Sequence, residues 1–157
     1  MKIILLSVGK TDDMHFAQLI ETYRKRVNFY IPFDIKEVPD IKNRKNLSEE
    51  EQKTQEGNFL LKSLLPADYV VLLDDKGKQH TSTEFARYLG KKSQIIPKRL
   101  VFIIGGPYGF SQEIYNVANE KISLSKMTYT HQMVRLIFAE QLYRAMTILH
   151  NEPYHHE

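Results

Sequence analysis

The chain has 157 residues, 42% of them hydrophobic, with 22 Lys and Arg against 19 Asp and Glu and a net charge of +3. That length suits one domain, residues 1–157, with a sizeable core, and the composition excludes a disordered chain. No apolar run is long enough to cross a bilayer. The absence of cysteine excludes disulfides, thiolate zinc sites and cysteine nucleophiles.

The opening "MKIILLSVGK" reads as a first strand over 3–8 ended by Gly9. It lacks the small-residue cleavage site of a secretory signal, so a cytoplasmic location is expected. A helix is expected over about 13–27, then a strand "FDIKEV" at 33–38 whose initial alternation places it nearer an edge. "PDIKNRKN" at 39–46 is the one candidate flexible loop. Ser48 and Glu51 are spaced as a capping box at the head of a helix over about 48–64. "YVVLL" at 69–73 is a strand. Thr81 and Glu84 repeat the capping spacing before a helix over about 82–93. "LVFII" at 100–104 is another strand. A short helix near 111–118, a short strand near 121–124 and a long helix over about 131–149 complete the chain. The runs at 3–8, 69–73 and 100–104 show no polar alternation, so helices cover both faces of a mostly parallel sheet, and the class is α/β.

Ligands of open α/β sheets bind beyond the carboxyl ends of the strands. Three such ends are unusual: "LLDDKGK" at 72–78, "IIGGPYGF" at 103–110 and "LSKMTYTH" at 124–131. The glycines at 105, 106 and 109 permit close backbone approach, or simply make a strand-to-helix turn. Neither the GxGxxG nor the GxxxxGK[ST] phosphate signature is present. In the third stretch Ser123, Ser125, Thr128 and Thr130 offer hydroxyls for a polar ligand, and helix capping by Thr128 or Thr130 accounts for only one of them. Lys126 either serves the site or is solvated. The final helix carries apolar residues on almost every side, so both a core and a second subunit are expected to cover it. His131 and Arg135 fall on one face near its start. Glu140, Arg144 and Thr147 fall roughly opposite. Glu140 and Arg144 are either an ordinary i,i+4 ion pair or part of a dimer interface. No acidic or histidine cluster suggests a metal, and the adjacent His155 and His156 diverge too much to share one.

"VFIIGGPYGF", "SLSKMTYTHQMVRLIFAEQLYRA" and the terminal "PYH" together resemble the RlmH group of SPOUT methyltransferases over essentially the whole chain. The resemblance implies an α/β sheet whose C-terminal part threads a trefoil knot, which pattern alone does not predict. It implies S-adenosylmethionine as cofactor, a homodimer, and methyl transfer to N3 of a pseudouridine in 23S ribosomal RNA of the large subunit, on assembled ribosomes. No membrane or metal partner is implied. Leu73, Gly105, Leu124, Ser125, Lys126, Met127, Thr128 and Tyr129 match the family's cofactor positions. Tyr154 and His155 match its terminal pair. His156 stands where the family commonly has Lys or Arg, and histidine lacks their permanent charge.

The N3 imide lies between two carbonyls and is a poor nucleophile while protonated, so the reaction calls for alignment, proton removal and stabilisation of the flanking oxygens. The candidates are Arg135, Tyr154 and His155, with His155 as base. RNA contact is expected through Arg24, Lys25 and Arg26 and through Lys42, Arg44 and Lys45, each also readable as a solvated charged face. The alternatives are a SPOUT enzyme acting on another RNA, or a cofactor-binding ribosome-associated factor without activity.

Overall fold

A computed structural model describes residues 1–157. The elements run β1 Lys2–Val8, α1 Met14–Asn28, β2 Phe33–Val38, α2 Glu49–Lys62, β3 Tyr69–Gln79, α3 Ser82–Ile95, β4 Arg99–Ile104, α4 Gln112–Val117, β5 Glu120–Ser123 and α5 His131–Leu149. All five strands are parallel, in the order β2-β1-β4-β3-β5. β2 is an edge, as its alternation implies. Because the strands are parallel, every loop that follows a strand lies on one edge of the sheet.

The continuous apolar strands are explained by two cores. Ile3, Leu5, Val71 and Phe102 point toward α1, α3 and α5. Their neighbours Ile4, Leu6, Val70, Leu72 and Ile103 point toward α2 and α4. Local chemistry sets the helix starts. Asp13 accepts from the His15 and Phe16 amides, and Ser48–Glu51 and Thr81–Glu84 both form complete capping boxes.

Three expectations are corrected. The strand expected at 69–73 continues to Gln79 through a bulge at 74–77. There Asp74 accepts from the Lys76 amide at 2.9 Å, and a Cβ on Gly77 would stand 2.6 Å from the Ile122 backbone, so the close approach of β3 to β5 requires glycine. The loop at 39–46 is not free. Ile41 is buried in it, and Arg44–Asn46 form a 3-10 turn. The third correction falls on α5, one face of which is buried within the chain. Phe138, Ala139, Leu142, Ala145 and Met146 face the core, with the Phe102 and Phe138 rings 4.7 Å apart. Leu136, Ile137, Glu140 and Arg144 are only half-buried. Thr147, placed by periodicity beside Glu140 and Arg144, is fully buried and donates to the Arg144 carbonyl at 2.7 Å.

Candidate active site

The ends of β3, β4 and β5 meet at one cleft of about 590 Å³, within the range of pockets that enclose a small organic ligand. Leu73, Gly105, Leu124, Ser125, Met127, Thr128 and Tyr129 all line it. Lys126 does not; its side chain is exposed beside the loop. His131 and Val134 close the cleft from the first turn of α5.

The hydroxyls of the third loop divide by role. Ser123 Oγ donates to the Ser125 carbonyl at 2.9 Å, and Ser125 Oγ accepts from the Met127 amide at 2.9 Å. Thr130 caps α5 by accepting from the Met133 amide at 3.3 Å. These groups hold the loop in shape, which leaves Thr128 as the uncommitted hydroxyl on the cleft wall.

The β3 side is acidic and ordered. The Tyr115 hydroxyl donates to Asp74 Oδ2 at 2.6 Å. Burial alone would raise the Asp74 carboxyl, but this bond and the Lys76 amide hold it below the usual range. Tyr115 is pushed up to about 12, by burial first and by Asp74 second. On the β4 side, the turn is braced from behind by α2. A Cβ on Gly106 would overlap the Glu56 carboxylate, and one on Gly57 would overlap Ser111 Oγ. Glu56 is 4% exposed and accepts from Gln52 Nε2 at 2.9 Å; burial raises its carboxyl. His131 is shifted down, by burial and then by the Arg135 charge, against a backbone bond to Gly105 that favours its protonated form. Glu56 carries no periodic or motif signal that would single it out in the sequence.

Arg135 does not face the cleft. Its side chain is 1% exposed, and its guanidinium donates to the Val8 and Gly9 carbonyls at 2.8 and 3.0 Å, to Thr11 Oγ1 at 2.9 Å and to Glu37 Oε1 at 3.3 Å. The expectation that it meets a substrate gives way to a positioning role: it ties the start of α5 to the ends of β1 and β2. Helical spacing puts it on the same face as His131, but its long side chain reaches across to the backbone of β1.

The terminal residues fold back along the outer side of α5. Tyr154 donates to Glu140 Oε1 at 3.1 Å, and its ring packs edge-on against Tyr143 at 4.7 Å. Arg144 lies over the Tyr154 ring at 4.8 Å, bonds His155 Nδ1 at 3.3 Å and pairs with Glu140 at 2.5 Å. Tyr30 donates to Glu152 at 2.5 Å, and Thr83 donates to Glu157. From His131 to Arg144 the helix rises roughly 20 Å at about 1.5 Å per residue, so the chain's own Tyr154 and His155 sit far from its own cleft. Arg144, read in the sequence as half of a helix ion pair, is the side chain that holds both.

The basic patches differ. Arg24 forms a bidentate pair with Glu21 at 2.6 and 2.7 Å, and Arg26 lies over the Tyr23 and Tyr143 rings. Lys42 and Lys45 are exposed in the loop after β2, on the cleft edge of the sheet, with Arg44 3.7 Å from Asp40. No group of three or more His, Cys, Asp or Glu side chains is placed to hold a metal ion, and no helix is long and apolar enough to cross a membrane.

A parallel sheet flanked by helices, with three strand ends converging on one cleft, places the chain in the α/β class, whose ligands bind at such strand ends. The model of the family described as "Predicted SPOUT methyltransferase" matches residues 1–155, and the chain belongs to that family, whose reaction requires a methyl donor. Proteins named ribosomal RNA large subunit methyltransferase H match it end to end, covering all of both chains. That of Parabacteroides distasonis is 62% identical, that of Phocaeicola vulgatus 59% and that of Bacteroides thetaiotaomicron 55%.

Proposed function

We propose that this chain is an S-adenosylmethionine-dependent methyltransferase acting on N3 of a pseudouridine in the 23S RNA of the large ribosomal subunit, on assembled ribosomes. The observation that carries the reading is the convergence of three strand ends on one cleft, in a chain that aligns end to end with relatives named as large-subunit RNA methyltransferases. The donor set fits such a cofactor. Apolar Leu73, Ile104, Leu124 and Val134 stand beside acidic Asp74 and Asp75 and the glycine turn at 105–109, which suits a ligand with an aromatic base and a positive charge. Leu73, Gly105 and residues 124–129 would hold it, with Lys126 contributing only its backbone. The chain would thread the family's knot around these loops.

When bound, the cofactor supplies a methyl group that is already electrophilic. The protein's own task is the imide. His155 would take the N3 proton, and Tyr154 would donate a hydrogen bond to a flanking carbonyl oxygen, where negative charge develops. Arg144, in contact with both, would orient them, and Arg135 would fix the α5 end of the cleft. Because this tail sits far from its own cleft, the reading includes a homodimer in which each tail serves the other subunit. The half-buried apolar stripe of α5, with Leu136 and Ile137, would be covered by that partner. Lys42, Arg44 and Lys45 would meet RNA phosphates, and the working location would be the cytoplasm.

Radiolabelled S-adenosylmethionine incubated with intact ribosomes, isolated subunits and free RNA from cells lacking the modification tests this. Label is expected in large-subunit RNA and lost on His155→Ala. Label that survives the substitution removes His155 as base. Label in another RNA moves the target, and cofactor binding without label in any sample leaves a binding factor.

A further inference from the structure

We propose that Tyr108 is a stacking platform for a nucleobase of the RNA substrate at the cleft mouth, an inference that rests on the function proposed above. The chain has nine tyrosines. Those at 30, 69, 88, 115 and 154 donate to carboxylates, and Tyr23 and Tyr143 pack against each other. Tyr108 and Tyr129 take part in neither kind of contact, and both line the cleft. Tyr129 belongs to the loop assigned to the cofactor. Tyr108 stands at the apex of a four-residue turn, Gly106–Gly109, closed by the Gly109 amide donating to the Gly106 carbonyl at 3.1 Å.

That turn is rigid. Pro107 fixes its own φ, Gly109 takes the left-handed conformation at φ +84°, and Glu56 packs directly behind Gly106. The third position of such a turn ordinarily holds Asp, Asn, Ser or Gly, residues that suit its geometry and solvent. A tyrosine here, 46% exposed, gains little from folding. A rigidly held, uncommitted aromatic face suits a flat π-surface arriving from outside. Lys76 lines the same cleft and Lys126 projects beside it, two cations that can meet phosphates flanking the stacked base, while Asp74 and Asp75 keep the β3 side of the cleft acidic. The exposure of Tyr108 argues for the RNA base over the cofactor, which the less exposed apolar residues Ile104, Leu124 and Val134 of the same cleft suit better.

The test compares wild type, Tyr108→Phe and Tyr108→Ala on unmodified large subunits. Tyr108→Ala is expected to raise KM for the subunits about tenfold, while Tyr108→Phe stays within about twofold because the ring alone is needed. Affinity for S-adenosylmethionine, by calorimetry, and sedimentation mass are expected to be unchanged. An unchanged KM in Tyr108→Ala overturns the proposal. So does a parallel loss of cofactor affinity, which would put the ring on the cofactor, or a change in mass, which would put it against a second copy. Cosedimentation of each variant with large subunits is scored separately from methyl transfer. Weaker binding of Tyr108→Ala supports stacking even if the wild type transfers no methyl, and equal binding in that case overturns it.

Discussion

The two ends of α5 each carry an arginine, and the two are built in opposite ways. Arg135, at the cleft end, is fully buried and donates to two backbone carbonyls, fixed at the end of β1, as well as to Thr11 and Glu37. Arg144, at the tail end, is part-exposed and bonds only side chains: Glu140, His155 and the face of Tyr154. Buried charge held by backbone is structure, since removing it strands the groups around it. Part-exposed charge held by side chains can exchange partners at little cost, which is what a residue needs if it is to serve a substrate. Burial and partner type, not position in the helix pattern, separate the two roles.

The sharpest way to break this contrast is Arg135→Met. It keeps the apolar stem but leaves the Val8 and Gly9 carbonyls without their side-chain donor and takes the cation from Glu37, which retains only its bonds from Thr11. Denaturant unfolding is expected to show a loss of about 2–4 kcal/mol, at about 1–3 kcal/mol for each buried carbonyl left unpaired. A loss under about 1 kcal/mol would mean that Arg135 is as replaceable as Arg144. The next effect is Gly77→Ala, at the cleft end alone. The added methyl would press on the Ile122 backbone, at a cost of about 1–3 kcal/mol. Because β5 leads directly into the 124–129 loop, calorimetry should also show weakened cofactor binding. Normal binding would mean that the bulge does not set the cleft.

Glu56→Gln probes the buttress behind the glycine turn through pH. Burial raises the Glu56 carboxyl above its ordinary 4.5, so the folded state holds this proton more tightly than the unfolded state. The stability that follows is fully present below the ordinary value and is lost as pH rises through the folded value. The variant should therefore gain on the wild type as pH rises across that window and hold its advantage above it. Parallel melting curves across the pH series would show that the carboxyl is not shifted. The smallest expected effect on stability is Arg144→Met, under about 1 kcal/mol, yet methyl transfer to large subunits should fall at least tenfold. Unchanged transfer would return Arg144 to the role of an ordinary helix ion pair.

Much of this was legible in the chain itself. Unbroken apolar runs announced strands covered on both faces, and Ser48 and Thr81, each three residues before a glutamate, marked helix starts by local hydrogen bonding that needs no tertiary partner. Gly105, Leu73 and the loop at 124–129 were visible as odd strand ends, and parallel topology obliges such ends to share one edge. What only the tertiary structure decided depends on where long or flexible side chains reach. Periodicity placed Arg135 on the His131 face but could not say that its guanidinium crosses to β1. The same limit hid Glu56, whose carboxylate matters because α2 lies against Gly106, and it hid the tail's return to Arg144. Backbone pattern is a local property and is written in the order of residues. The partner of a buried charge is chosen by the packing of distant segments, and that choice exists only once the chain has folded.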